Sequence, residues 1–185
     1  MLSAVSESVS LKQSFFEDQA NLILEVCEVL AVALGNGKKL LIFGNGGSAA
    51  DAQHFAAELV NRFIADRSAL PAIALTTDGS ILTSISNDTH FETVFSRQIE
   101  ALGTEGDVAL AITTSGNSQN VLNAVKTAQA KNLKTIALSG RDGGAIANSV
   151  AWCLTVPHSE TARVQEVHAM LIHLFCQAIE DALFV

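Results

Sequence analysis

A short apolar run that ends in a cluster of glycines constrains the fold of this chain more than any other feature. Residues 40–43 are all large and apolar, and the small-residue loop 44–48 follows at once. Such a run, bounded by turn residues, is typical of a buried strand, and the alanine-rich stretch after it predicts a helix. Strand, small-residue loop and helix N-terminus, in this order, form an anion site because free N–H groups and the positive end of the helix dipole face the loop.

Four further apolar runs alternate with helical stretches along the rest of the chain. With residues 39–43, we predict strands at 71–75, 108–112, 134–138 and 152–156, and helices at 3–35 (broken near 8–10), 49–66, 81–85, 91–102, 120–131 and 161–183. Apolar strands that alternate with helices indicate a parallel sheet covered on both faces. The predicted fold is α/β, a doubly wound, flavodoxin-like three-layer α-β-α sandwich with five parallel strands. At 185 residues, one domain over 1–185 is expected.

Composition and charge narrow the class of protein. Charged residues make up only 16% of the chain, which is low for its length, so we expect an oligomer that buries apolar surface between subunits. The net charge of -8 and the absence of a Lys/Arg run argue against nucleic-acid binding. Cys27, Cys153 and Cys176 match no CxxC pattern and are typical of core thiols in a reducing compartment. No secretory signal or long apolar run is found, so we expect a cytoplasmic protein without a membrane span.

A second loop of small polar residues follows the third predicted strand. Residues 113–118 read Thr-Thr-Ser-Gly-Asn-Ser and precede a predicted helix. One hydroxyl would be enough to cap that helix. Four hydroxyls in six residues instead favour a site for a phosphate monoester that is held without lysine. Because ligands of parallel sheets bind beyond the carboxyl ends of the strands, loops 44–48 and 113–118 are expected at one site.

The glycine loop at 44–48 is by itself a weak signal. It does not match the dinucleotide fingerprint, because Ala49 stands where the third glycine should fall, although Asp78 does follow the second strand as a ribose-binding acid would. It also lacks the Gly-Lys-Ser/Thr end of a Walker loop.

Ionisable residues on two predicted helices are candidates for catalysis. His54 and Glu58 are four residues apart and share a helix face. They could form an ordinary surface pair, but their apolar neighbours indicate a packed helix. On the last helix, Gln165 and His173 differ by roughly 12 Å in rise and 80° in direction. Spacing alone therefore does not predict a metal there, unless side chains are extended or subunits share the site.

The chain resembles the sugar isomerase (SIS) domain family and, within it, the phosphoheptose isomerases. The resemblance covers essentially the whole sequence. It is carried by Gly44–Ser48, Asp51–Leu59, Asn87-Asp88, Thr114–Ser118, and Arg163–His168 with His173. The family interconverts sedoheptulose 7-phosphate and D-glycero-D-manno-heptose 7-phosphate, the first step toward bacterial heptosides such as lipopolysaccharide. It implies a homotetramer with active sites between subunits, in which the N-terminal segment 1–36 is an oligomer contact.

The resemblance also implies roles for individual residues. Glu58 and His173 would be the acid/base pair of an enediol isomerisation, with the assignment of base and acid left open. The residues expected to bind the sugar phosphate are Asn45, Gly46, Gly47, Glu58, Asn87, Asp88, Thr113, Thr114, Ser115, Ser118 and Gln165. The ligands of a zinc ion found in some members would be His54, Glu58, Gln165 and His173.

Two other functions are compatible with parts of the sequence. The tail and residues 75–78 are also similar to a SIS homotetramer that binds the DnaA replication initiator, and Ala162 stands where several isomerases carry an aspartate. This chain keeps the carboxylate of Glu58 and the imidazole of His173, for which a binding protein has no need, so the isomerase is favoured. A sugar-phosphate sensor would usually carry a DNA-binding domain, for which there is no spare length.

Overall fold

The strands and helices of the computed structural model, which describes residues 1–185, alternate along most of the chain. The strands are β1 (Leu40–Gly44), β2 (Ala72–Ala74), β3 (Val108–Ile112), β4 (Lys134–Gly140) and β5 (Trp152–Val156). The helices are α1 (Leu2–Asp18), α2 (Ala20–Gly35), α3 (Gly47–Val60), α4 (Gly79–Asp88), α5 (Ser96–Leu102), α6 (Gln119–Ala130) and α7 (Thr161–Phe184). Short 3-10 turns cover Phe91–Thr93 and Ala145–Asn148.

All five strands form one parallel sheet in the order β2-β1-β3-β4-β5. This confirms the predicted α/β fold with its flavodoxin-like strand order. The chain reverses its direction of travel across the sheet between β1 and β3, where Gly44 pairs with Ile112 at the carboxyl ends of both strands. In open α/β sheets a ligand binds at this switch point.

Apolar side chains fill both faces of the sheet. Alternate residues of β1 point to opposite sides, so that Leu40 and Ile42 join one core while Leu41 and Phe43 join the other. The first core is covered by α1, α2, α3 and α7, and the second by α5 and α6. Burial of every residue of β1 and β3 explains why these strands read as continuous apolar runs.

Several predicted helix boundaries were wrong. The N-terminal helix breaks at Gln19 rather than near residues 8–10, because Ser8 is buried and donates a 2.5 Å hydrogen bond to Glu166 on α7. The helix after β1 ends at Val60 instead of near 66. The predicted helix 91–102 begins as a 3-10 turn, and regular α-helix starts only at Ser96.

The terminal helix α7 is the longest element. By length and composition alone its 24 residues could cross a membrane, a property that core helices share. Its apolar side chains Leu171, Phe175 and Ile179 are fully buried in the core beside α2 and α3. The helix therefore packs as a core helix does, and it carries polar residues along the seam with α3.

Candidate active site

A polar cavity of about 280 Å³ lies at the switch point between β1 and β3. Its walls come from the ends of β1 and β3 and from the first turns of three helices. They are formed by Asn45, Gly46, Gly47, Ser48, Ile112, Thr113, Thr114, Ser115, Ser118, Thr161 and Gln165. The two loops that the sequence predicted to meet do meet, and no charged side chain lines the cavity.

Three helix N-termini point their free N–H groups toward this cavity. Gly46 precedes α3, Ser118 precedes α6, and Thr161 is the first residue of α7, and all of them border the cavity. In none of the three helices does the N-cap residue accept a hydrogen bond from the first turn with its side chain. The unpaired N–H groups and helix dipoles therefore favour a bound anion, in the absence of lysine or arginine.

The hydroxyls of the second loop divide into two kinds. Thr113 Oγ1 accepts from the Gly116 N–H (3.2 Å), and Ser115 Oγ accepts from the Asn117 N–H (3.2 Å), so these two hydroxyls shape the turn. The hydroxyls of Thr114 and Ser118 make no hydrogen bond within the chain and are left to a ligand. The hydroxyls of Thr113 and Ser115 thus have the structural role of turn residues, and the phosphate site stays a prediction for Thr114 and Ser118.

Three ionisable side chains converge on the seam between α3 and α7, and we call them the acid–base trio. His54 Nε2 lies 3.4 Å from Glu58 Oε1 and 3.3 Å from His173 Nε2. Glu58 and His173 therefore flank one imidazole, close enough for a single substrate to reach both. Phe63 stacks on the His173 ring with centroids 5.7 Å apart, which restricts its orientation.

The atoms of the trio that face one another include more hydrogen-bond acceptors than donors. If His54 Nε2 carries the proton, two acceptors share it; if His173 Nε2 carries it, the lone pair of His54 faces the Glu58 carboxylate. A cation could bind the lone pairs of these atoms in place of the shared proton. In a tetrahedral zinc site with bonds of about 2.0 Å, neighbouring ligand atoms lie about 3.3 Å apart. The distances from His54 Nε2 to Glu58 Oε1 and to His173 Nε2 match this value. The three side chains form a row with His54 in the middle, so they do not surround a common point.

Gln165 lines the cavity and approaches the start of α3. A methyl group added at Gly47 would fall 2.3 Å from the Gln165 amide nitrogen, so the glycine is needed for this close approach. The glycine loop itself turns through Gly46, whose φ of +58° favours glycine. Gln165 therefore links the first turn of α3 to α7 at the anion end of the seam.

Asp51 occupies the same face of α3, between Gly47 and His54. One of its carboxylate oxygens is buried without a hydrogen-bond partner. Burial raises the pKa of Asp51, and the nearby His54 opposes that shift. No role for Asp51 was predicted from the sequence, because a single acid in an alanine-rich helix carries no spacing signal.

The loop after α3 is fixed by a buried ion pair. Arg67 Nε donates to Glu180 Oε1 at 2.8 Å, and its other nitrogens donate to the carbonyls of Glu58 and Leu59 at the end of α3. The Glu180 carboxylate also accepts from the N–H groups of residues 63–65. This pair holds Phe63 against His173.

Two of the predicted sugar ligands lie away from the cavity in the single chain. Asn87 and Asp88 end the exposed helix α4, and the Asn87 amide donates to the Asp88 carboxylate (2.8 Å). Asp78 accepts from the Ile81 N–H and is the N-cap of α4, an ordinary structural role that leaves no support for a ribose site. Conversely, Ser48, which was predicted at the site only as part of loop 44–48, and Thr161, for which no role was predicted, both line the cavity. The helix-start position of Thr161 was the available signal.

The chain is similar to known proteins along nearly its whole length. A family profile described as the SIS domain matches residues 5–140. The chain is 53% identical to a phosphoheptose isomerase of Aquifex aeolicus (strain VF5) over 175 residues, 95% of this chain and 92% of that protein. It is 54% identical to a phosphoheptose isomerase of Geotalea daltonii over 182 residues, which cover 98% and 95% of the two chains.

The chain belongs to the phosphoheptose isomerases of the SIS-domain family. A solved structure of a phosphoheptose isomerase from Neisseria gonorrhoeae superimposes on this SIS domain with a TM-score of 0.92. The two are 46% identical and the match covers 97% of this chain and 96% of the other. The likeness thus extends over the sheet, the cavity and the α3–α7 seam.

Proposed function

We propose that this protein is an aldose–ketose isomerase that converts sedoheptulose 7-phosphate to D-glycero-D-manno-heptose 7-phosphate. The observation that carries the proposal is the position of the acid–base trio on the same α3–α7 seam as the anion cavity. One end of the seam offers hydroxyls and helix N-termini to a phosphate, and the other offers a carboxylate and an imidazole to a carbonyl. The near-full-length relatives described as phosphoheptose isomerases support this substrate.

The chemistry follows from the groups at the two ends. Isomerisation removes a proton from one carbon, forms an enediol, and returns a proton to the neighbouring carbon, while a second group moves the proton of the carbonyl oxygen. Glu58 and His173 can share these tasks, since a carboxylate serves as a base and an imidazole can hold or release a proton near neutral pH. The phosphate grip at the cavity places the reacting carbons against this pair.

The enzyme interpretation is favoured over binding of the replication initiator. A protein that only binds a partner gains nothing from Glu58, His54 and His173 in mutual contact on a half-buried seam.

A direct assay tests the proposed reaction. Purified protein should convert sedoheptulose 7-phosphate to the aldose, and it should convert unphosphorylated sedoheptulose at least about a hundredfold less efficiently, because the binding energy of the phosphate is lost. Absence of turnover of the phosphorylated ketose would refute the proposal.

We propose further that the trio binds zinc, with Gln165 as the remaining ligand that the family resemblance implies. The imidazole and carboxylate groups are ligands that zinc prefers, and His54 lies from Glu58 and from His173 at the spacing of neighbouring zinc ligands. Bound zinc would polarise the carbonyl of the substrate. Mass spectrometry of native protein and a zinc-dependent shift in Tm provide the test. His54→Ala should abolish both signals. His90→Ala, which changes an exposed histidine before the turn Phe91–Thr93, should keep them. An equal zinc response in both variants would contradict the assignment.

The assembly is proposed to be a homotetramer in the cytoplasm. Large apolar side chains are exposed on α1 and α2, among them Val5 (56%), Val9 (58%) and Leu24 (67%). Such a surface is typical of a subunit interface, and the three unpaired cysteines support a reducing compartment. Light scattering should give four times the mass of one chain. Leu24→Glu should reduce that mass, whereas Leu102→Glu on α5, which covers the other face of the sheet, should not. A monomeric wild type would refute the proposal.

A further inference from the structure

Two asparagines from distant parts of the chain form a reciprocal pair at the rim of the anion cavity. The Asn45 amide donates to Asn120 Oδ1 at 2.9 Å, and the Asn120 amide donates to Asn45 Oδ1 at 2.8 Å. Asn45 follows β1, whereas Asn120 lies in the first turn of α6. We call this pair the amide clasp.

The orientation of both amides is fixed by the backbone. Asn120 Oδ1 also accepts from the N–H of Val121 at 3.0 Å. If the Asn120 amide were flipped, its NH₂ group would face this N–H, and like groups would face one another across the pair. Because the orientation of Asn120 is fixed, that of Asn45 is fixed as well.

The two asparagines differ in their relation to the cavity. Asn45 lines it, whereas Asn120 is buried at 3% exposure and does not border it. At the base of the cavity the strands that lead into the two loops are paired, Gly44 with Ile112, so closely that a methyl group on Gly44 would fall 2.6 Å from the carbonyl oxygen of Ile112. The cavity therefore lies between two loops that are joined at the base by backbone contact and at the rim by the clasp.

We propose that Asn120 is a positioning residue that sets the separation of the glycine loop 44–48 and the hydroxyl loop 113–118, and through it the grip on the phosphate. The inference rests on the proposed function, since it assigns the cavity to the phosphate end of the substrate. Loss of the clasp frees Asn45 and lets the helix N-termini of α3 and α6 spread. The acid–base trio lies further along α3, so the chemical step is expected to change little once substrate is bound.

A double-mutant cycle on steady-state kinetics tests the proposal. Asn120→Ala should raise KM for sedoheptulose 7-phosphate by about tenfold with kcat within about twofold. Asn45→Ala should raise KM at least as much, because Asn45 also lines the cavity, and the double variant should be no worse than Asn45→Ala, because the clasp is already lost. Asn123→Ala, one turn later on α6, is the matched control and should leave KM unchanged. An unchanged KM in Asn120→Ala, or effects that multiply in the double variant, would overturn the proposal.

Phosphate binding separates this proposal from the reaction itself. Calorimetry with inorganic phosphate needs no turnover, and binding by Asn120→Ala should be weaker than wild type by about tenfold while Asn123→Ala binds normally. If the wild type does not convert the heptulose phosphate but the phosphate result holds, the proposed function fails and the clasp stands. If Asn120→Ala does not fold, Asn120→Ser breaks the same bonds with less loss of volume, and Asn45→Ala breaks them at a half-buried position. Equal phosphate affinity in folded clasp variants and wild type would refute the role of Asn120.

Discussion

The Nε2 atoms of His54 and His173 lie 3.3 Å apart, although 119 positions separate the two residues in the chain. The contact joins the second turn of α3 to the middle of α7 and brings His173 to the side of Glu58. A single chain therefore supplies the carboxylate and both imidazoles of the trio. The sequence alone could not establish this, because helix spacing left open whether a partner subunit was needed to complete the group.

Substitution of Gly47 tests the close approach of α3 and α7 at the cavity. Gly47→Ala would place a methyl group 2.3 Å from the Gln165 amide and should displace that side chain. We expect KM to rise about tenfold, since a small misplacement of binding groups is costly. Gly79→Ala is the matched control, because nothing lies within 4 Å of the added methyl group. Equal kinetics for both variants would contradict the importance of this contact.

The ion pair of Glu180 and Arg67 should contribute strongly to stability. Both side chains are almost fully buried, and removal of one partner of a buried pair costs about 3–5 kcal/mol. Urea denaturation of Glu180→Gln at pH 7 should show a loss of this size, whereas the neighbouring exposed substitution Asp181→Asn should cost under about 0.5 kcal/mol. A loss for Glu180→Gln no greater than that for Asp181→Asn would show that the pair is dispensable.

Glu180 should also make stability depend on acid pH. Burial by itself would raise the pKa of this carboxyl, but the N–H groups of residues 63–65 and Arg67 outweigh it and lower the pKa from 4.5 to about 2. The folded-state pKa is lowered, so the stabilisation is complete above about pH 4.5 and is lost as the pH falls toward 2. In Glu180→Gln the free energy of unfolding should depend less on pH across that window. The same pH dependence in Glu180→Gln and wild type would refute the role of this carboxyl.

His168 should give a second, separate pH window. Burial lowers the pKa of this fully buried histidine from 6.5 to about 4, against the opposing effect of its 3.0 Å contact with the Ser139 carbonyl. Between these values the unfolded chain binds a proton that the folded chain does not, so stability should be complete above about pH 6.5 and fall as the pH drops toward 4. His168→Gln should remove this slope, while His158→Gln should retain it, as measured by urea denaturation at several pH values. An equal pH dependence of the free energy of unfolding in the two variants would be inconsistent with a titrating, buried His168.

The fold was largely predictable because it depends on patterns within single segments. The central strands β1 and β3 are buried on both faces, and each is therefore a continuous apolar run that ends in turn residues. Helix ends were harder to predict, because they depend on distant partners. Ser8 is held by Glu166, and the end of α3 is held by Arg67, and neither contact has a local signature.

The site was predictable in its parts but not in its arrangement. The two small-residue loops were found from composition, since a phosphate site made of helix N-termini needs many hydroxyls and glycines close together in sequence. Asn120 was missed because it resembles any polar residue in a first helical turn. Its role depends on Asn45, which lies 75 positions away.

The measurement that tests the central claim most directly is the kcat of Glu58→Gln and His173→Asn on sedoheptulose 7-phosphate. Phosphate affinity is measured in the same proteins, and Glu105→Gln and His90→Asn serve as exposed controls. If Glu58 and His173 move the protons of the isomerisation, each variant should lose at least about a hundredfold in kcat while it binds phosphate as the wild type does. Wild-type kcat in either variant would contradict the assignment of the acid/base pair.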